Sequence, residues 1–165
     1  MTRILYSAVF LIILGLNAFL SASGIITPFT ECSLHDIEPG RTYSFTEEKD
    51  MPLKIKNTGK SRLTVKVDIK SPAENELKED YEVLPDKTWI TVENSILNIE
   101  SGEWGITDIF LKIPKDKQYA GRSYQASLFS QTLGKDGKIK AALKSRIYFS
   151  VKRKKGFFGK IFGWL

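Results

Sequence analysis

Apolar and polar residues alternate in short runs through the middle of the chain, from Tyr43 to Val151. The clearest run extends from Leu63 to Ile69, and a second, at the end of this region, places Ile147, Phe149 and Val151 on one side. Side chains on one face of a strand recur at every second position, so these runs predict half-buried β-strands.

A shorter alternating run, Leu53 to Ile55, precedes the turn-forming sequence Asn57-Thr58-Gly59-Lys60 and the run from Leu63 to Ile69. Two alternating runs joined by a tight turn are typical of a β-hairpin. The sequence therefore predicts that these two strands pair with each other.

Further strands are predicted at residues 89–92, 96–99, 109–113, 124–132 and 139–151. Turns separate them at Glu100–Glu103 and Gly134–Gly137, and Pro114 ends the strand before it because proline cannot donate to a β-ladder. The polar segment 71–80 is predicted to be an exposed loop with one helical turn after Pro72. Many short strands without a long helical period predict an all-β, antiparallel sandwich over residues 41–151, preceded by a pre-domain segment at 25–40.

The first residues have the order of a secretory signal: Arg3, an uncharged run from Ile4 to Leu20, and the small residues 21–24. We expect a signal peptide at residues 1–24, cut after Ser23 or Gly24. The uncharged stretch from Ile4 to Ile26 is also long enough to cross a bilayer, so an uncleaved anchor helix is the alternative. Both predict an exported chain, located in the periplasm or outside the cell.

The excess of basic residues lies at the two ends of the chain. Without Arg3 and the five basic residues after Val151, the count of Lys and Arg falls from 25 to 19 and equals the 19 Asp and Glu. The predicted sandwich is therefore neutral overall.

The C-terminal segment 152–165 combines a basic cluster with aromatic residues. On a helical wheel its apolar side chains cover one face, and basic residues precede and accompany them. The predicted contact residues are Lys152, Arg153, Lys154, Lys155, Phe157, Phe158, Lys160, Ile161, Phe162, Trp164 and Leu165. Such an amphipathic tail suits an anionic membrane surface, with a partner protein or its own domain as the alternatives. Nucleic acid is not expected as a partner of an exported chain.

The chain has few of the cysteine and histidine residues that often act as nucleophiles, bases or metal ligands in enzymes. Cys32 and His35 are the only cysteine and histidine, and a structural zinc site needs four nitrogen or sulfur ligands. We expect Cys32 to be a small residue at the domain edge, with an exposed thiol as the alternative. We expect no catalytic residue, metal, cofactor or small-molecule substrate, and hence no enzyme.

Two tryptophans allow a different function. Trp89 and Trp104 could stack against a sugar, although aromatic residues in sandwich strands are more often core residues. A carbohydrate-active hydrolase or sugar-binding domain using acidic loops and Trp104 is therefore kept as an alternative.

Several motifs together resemble one group of proteins. They are Leu53-Lys-Ile-Lys-Asn-Thr-Gly59, Tyr81-Glu-Val-Leu-Pro-Asp86, Trp89-Ile90, Gly102-Glu103, Ile113-Pro114 and Tyr119-Ala-Gly-Arg-Ser-Tyr124. This order resembles the immunoglobulin-like accessory domains of bacterial and archaeal cell-envelope proteins, and more distantly the periplasmic pilus chaperones. The resemblance covers about residues 40–151 and implies a non-catalytic binding or structural module.

The sequence as a whole predicts an exported binding or scaffolding module of the cell envelope with an immunoglobulin-like sandwich. Its partner is expected to be a membrane surface or an envelope protein, contacted through residues 152–165. A pilus-type periplasmic chaperone is the alternative within the binding class. This chain has no paired Arg and Lys that we can place to hold a pilin carboxylate.

Overall fold

The computed structural model describes residues 20–22, 24–134 and 136–153. These residues form thirteen strands and one short α-helix. In chain order they are β1 (Leu20–Ala22), β2 (Ile25–Thr27), β3 (Glu31–Ile37), β4 (Thr42–Ser44), α1 (Phe45–Lys49), β5 (Leu53–Asn57), β6 (Leu63–Lys70), β7 (Glu82–Val83), β8 (Ile90–Val92), β9 (Ile96–Ile99), β10 (Trp104–Thr107), β11 (Ile109–Lys112), β12 (Ser123–Leu133) and β13 (Ile139–Val151). Single 3₁₀ turns lie at Glu74–Glu76, Lys87–Trp89 and Lys117–Tyr119.

The strands form two facing layers. One layer is a six-stranded sheet in the order β3-β13-β12-β6-β9, with β7 added beside β12. The other consists of the sheets β1-β2-β5-β10 and β4-β11-β8. These two sheets continue one another because β4 and β5, and likewise β10 and β11, are successive segments of the chain, interrupted by α1 and by Asp108 respectively.

The core lies between the layers and is built from alternate residues of each strand. Leu53 and Ile55 of β5 and, in the other layer, Val65 and Val67 of β6 are all buried in the same core. Such alternation follows directly from the period of two along a strand. The all-β prediction is therefore confirmed, and the strand predicted at residues 139–151 has these bounds in the structure.

The predicted hairpin of β5 with β6 is wrong. β5 pairs with β2 and β10, whereas β6 pairs with β12 and β9 in the opposite layer. The turn between them is an arch that crosses the sandwich. Alternation shows that each strand has one buried face, but it does not show whether two such faces lie in one sheet or oppose each other.

The predicted start of the sandwich at residue 41 also differs from the structure. β2 pairs with β5, and β3 runs parallel to β13, so residues 25–37 supply strands to both layers. Ile25, Phe29 and Leu34 are core residues. The two strands are short and separated by Pro28, which weakens the alternation that would have identified them.

The helix α1 was not predicted. It occupies five residues between β4 and β5 and is capped by Ser44, whose hydroxyl accepts a hydrogen bond from the amide of Glu47 at 3.0 Å. A single turn of helix is too short to produce a visible 3.6-residue period. The helical turn expected after Pro72 is confirmed as the 3₁₀ turn at Glu74–Glu76.

Candidate partner-binding edge

The strand β13 has an open side along its first half. It is 13 residues long and pairs with β12 from Ile139 to Ser150. On its other side it pairs with β3, but only from Arg146 onward. Within the described part of the chain, no strand pairs with that side of residues 139–145.

The backbone of β13 directs alternate residues toward this open side. The amide of Ala141 donates to the hydroxyl of Thr132 on β12 at 2.9 Å, and the amide of Arg146 donates to the carbonyl of Thr30 on the opposite side at 3.0 Å. The pairing with β12 is regular between these two residues. Since backbone groups alternate along a strand, the amides and carbonyls of Ala142 and Lys144 point to the open side.

The open side exists because the chain changes layers next to it. β2 belongs to the layer of β5, and β3 joins β13 only after the chain has passed Pro28. The crossing is fixed at Phe29, whose carbonyl accepts a hydrogen bond from the buried hydroxyl of Ser145. β1 passes close to β13, but among the described strands it pairs with β2 alone.

The side chains of Ala142 and Lys144 flank the open side. Ala142 is exposed, and Lys144 is turned onto the outer sheet face, where it forms an ion pair with Glu76 and lies 5.8 Å from the Phe129 ring centroid. The hydrogen bond from Lys144 lowers the pKa of Glu76 below its usual value. A strand edge without a pairing strand is a template for pairing with another chain.

The base of the C-terminal segment lies at the opposite end of β13. Lys152 donates from its amide to the carbonyl of Ile37 at 3.0 Å, and its ammonium group lies 2.7 Å from a carboxylate oxygen of Glu38. This hydrogen bond lowers the pKa of Glu38 and raises that of Lys152. A surface groove here is lined by Asp36, Glu38, Pro39, Lys115, Asp116, Lys117, Ala120, Lys152 and Arg153.

Of the contact residues predicted in the C-terminal segment, the structure describes two. Lys152 and Arg153 are exposed at this end of the sandwich. The other predicted contact residues, Lys154 to Leu165, lie outside the described residues, as do residues 1–19 of the expected signal or anchor. The open side of β13 was not found from sequence, because strand length alone does not reveal which neighbour ends early.

The two tryptophans do not form a common platform. Trp89 is 4% exposed and packs edge-on against Tyr119 and Tyr124, at ring centroid distances of 4.6 and 5.6 Å. Trp104 is 42% exposed on β10. The expectation of a core position is confirmed for Trp89, and the corresponding packing expectation is wrong for Trp104.

Cys32 and His35 point in different directions from β3. Cys32 is 4% exposed in the core, and burial raises the pKa of its thiol to about 11. Cys32 thus lies on β3, the edge strand of its sheet, with its side chain in the core, and the exposed thiol kept as the alternative is wrong. His35 is exposed. Among the residues that the structure describes, no cluster of three or more His, Cys, Asp or Glu side chains could hold a metal ion.

No helix within residues 20–22, 24–134 and 136–153 is long and apolar enough to span a bilayer.

Comparison by sequence identifies no relative: no family model and no curated protein matches the chain. Comparison by structure identifies several proteins with a similar fold. The chain is similar to PapD-like domain 7 of human CEP192, an ASH domain, with a TM-score of 0.58 and 11% identity over 80% of this chain and 87% of that one. It is also similar to the Escherichia coli chaperone DraB, with a TM-score of 0.51 and 10% identity over 83% of this chain and 58% of the chaperone.

A third similar structure is a family 123 glycoside hydrolase from Clostridium perfringens, with a TM-score of 0.54 and 12% identity over 76% of this chain but only 23% of the enzyme. The chain thus spans a little over half of the chaperone and about a quarter of the hydrolase. At these identities the comparisons establish the fold and nothing beyond it. The described chain has an immunoglobulin-like β-sandwich fold that is similar to the fold of PapD-like domains.

Proposed function

We propose that this chain is an exported, non-catalytic module that binds an extended segment of a partner protein along the open side of β13. The observation that carries the proposal is the backbone of Ala142 and Lys144, with which no described strand pairs on the open side, in a strand whose second half is paired on both sides. The likeness in fold to DraB supports it, as does a similar TM-score of 0.51 to a Salmonella enterica structure in which the chaperone SafB is in complex with the pilin SafA.

Strand addition explains how such a site obtains affinity. An added strand forms main-chain hydrogen bonds with the open edge, while its alternate side chains fill the adjacent surface and provide specificity. Each hydrogen bond contributes on the order of 1 kcal/mol net. A short edge therefore suits a reversible, chaperone-like or scaffolding role at the cell envelope better than a permanent assembly.

The C-terminal segment supplies a second contact in this proposal. Lys152 and Arg153 are exposed at the end of the sandwich away from residues 139–145, and two further lysines follow them in the sequence. A basic cluster followed by aromatic residues binds anionic membrane surfaces. We infer that this segment holds the module at the membrane while the open side of β13 remains free for the partner.

The proposal is tested by an Ala142→Pro variant. Proline removes the amide that points to the open side, and the hydrogen bonds to β12 from neighbouring residues remain. A photoreactive amino acid at position 140 identifies the partner in the envelope. We expect Ala142→Pro to abolish that crosslink, whereas the matched Ala142→Ser variant, which keeps the amide, retains it. Equal crosslinking of both folded variants would exclude strand addition at this edge.

A further inference from the structure

The outer face of the layer formed by β2, β5 and β10 carries an unusual set of side chains. Trp104 and Ile106 are 42% and 54% exposed, although outward positions on such a sheet are normally polar. Their direction is fixed by Gly105 between them, where a Cβ atom would lie 2.6 Å from Ile99 in the core. Because side chains alternate along a strand and Gly105 faces the core, its two neighbours face outward.

Two lysines complete this surface. Lys56 lies opposite Trp104 in the neighbouring strand β5, and Lys54 lies opposite Ile106. The ammonium group of Lys56 is 5.7 Å from the Trp104 ring centroid. Neither lysine forms an ion pair with another described residue. Ile26 of β2 lies on the other side of Lys56 and extends the row.

We propose that this surface, comprising Ile26, Lys54, Lys56, Trp104 and Ile106, rests on an anionic lipid bilayer. Tryptophan is favoured at the boundary between headgroups and acyl chains because its ring is apolar and its indole N–H is polar. Isoleucine adds apolar area, and lysine extends its charge to the headgroup phosphates. The uncompensated charge of Lys54 and Lys56 favours an anionic surface over an apolar protein face.

The sequence order of the N-terminal segment supports a lipid surface over another protein. In the uncleaved chain, which is the alternative to a cleaved signal peptide, the uncharged run that begins at Ile4 precedes β1, and β1 pairs with β2 in this same layer. A bilayer that holds an uncleaved run would therefore lie on the side of the molecule where this layer begins. The inference concerns a different surface from the open side of β13 and does not depend on partner binding there.

The test measures binding of the full chain to vesicles of phosphatidylcholine mixed with phosphatidylglycerol. We expect Ile106→Ser to weaken binding about fivefold, because the apolar side chain no longer enters the interface. The matched control is Ile96→Ser, since Ile96 is 56% exposed on the opposite layer. Equal effects of the two substitutions, or none at position 106, would overturn the proposal and indicate a protein partner instead.

The charge is tested separately from the apolar contact. Replacing Lys54 and Lys56 with Gln should weaken binding to anionic vesicles about tenfold and leave binding to pure phosphatidylcholine unchanged. The control replaces the exposed Lys87 and Lys138 with Gln, which removes the same charge elsewhere.

A direct readout comes from tryptophan fluorescence in a Trp164→Phe variant of the full chain. Brominated lipids should quench Trp104 and spare the buried Trp89. Bound vesicles without quenching of Trp104 would show that binding uses the C-terminal segment alone, and the proposed surface would then be wrong.

Discussion

Asp108 holds the break between β10 and β11 in place. Its carboxylate accepts hydrogen bonds from the hydroxyls of Ser44 and Thr46 and from the amides of Thr46 and Ile109, at 3.1 Å and 2.8 Å for the two amides. Partial burial acts to raise the pKa of Asp108, but these hydrogen bonds outweigh it and hold the pKa below its usual value. The Asp108 side chain thereby connects the start of α1 to β11.

We expect Asp108→Asn to reduce the free energy of unfolding by about 1–3 kcal/mol at neutral pH, because the amide nitrogen cannot accept the Ser44 hydrogen bond. A carboxylate with a lowered pKa stabilises the fold above its unfolded-state pKa of about 4, and that contribution is lost as the pH falls through the folded-state pKa. The difference between variant and wild type should therefore shrink in acid. Chemical denaturation across pH measures it, with Glu93→Gln as an exposed control; a constant difference would contradict this role.

Asn57 performs a similar function at the scale of the strands, because it holds the arch between β5 and β6. Its buried side chain donates to the carbonyls of Ser61 and Ile99, at 2.8 and 2.9 Å, and accepts from the amide of Gly59 at 2.8 Å. The Ile99 contact reaches the end of β9, a strand of the opposite layer. One amide, at the end of β5, therefore joins backbone groups of the arch to a strand of the opposite layer at the point where the chain crosses.

Replacing Asn57 with Ala should destabilise the protein by about 2–3 kcal/mol, since several buried backbone groups lose their partner. Asn98→Ala, which removes an exposed amide bonded to Thr64, is the control and should cost much less. Denaturant melts measure both. Similar losses for the two variants would mean that the arch is held by packing alone.

The strands were largely predictable, and their pairing was not. The runs at residues 63–69, 109–113 and 139–151 have strong alternation because one face of each packs in the core. The arch at Asn57 has the same local pattern as a hairpin, so only the long-range contacts of its side chain distinguish the two. The open side of β13 likewise depends on where β3 ends, which is a property of another part of the chain.

At the scale of the whole molecule, the open side of β13 and the base of the C-terminal segment lie toward opposite ends of one strand. That strand is 13 residues long, or about 40 Å at the usual rise. In the proposed function, a tether at one end of this strand leaves the partner-binding edge free at the other. The sandwich between them is neutral overall, because the excess of basic residues lies at the two ends of the chain.

If the C-terminal segment contacts membranes, Phe158→Ser combined with Phe162→Ser should reduce flotation of the chain with anionic liposomes even at low salt, because the apolar face supplies the insertion energy. Neutralising Lys152 to Lys155 should act mainly on anionic vesicles and lose its effect as salt screens the charges. Unchanged flotation in both variants would assign the segment to a protein interface.

The most direct test of the open edge is amide hydrogen exchange along β13. In the free chain we predict slow exchange at Ala141 and Leu143, which face β12, and fast exchange at Ala142 and Lys144, which face the open side. When the partner identified by crosslinking binds, the amides of Ala142 and Lys144 should become protected as well. Slow exchange at these two amides in the free chain, or no added protection in the complex, would contradict strand addition at this edge.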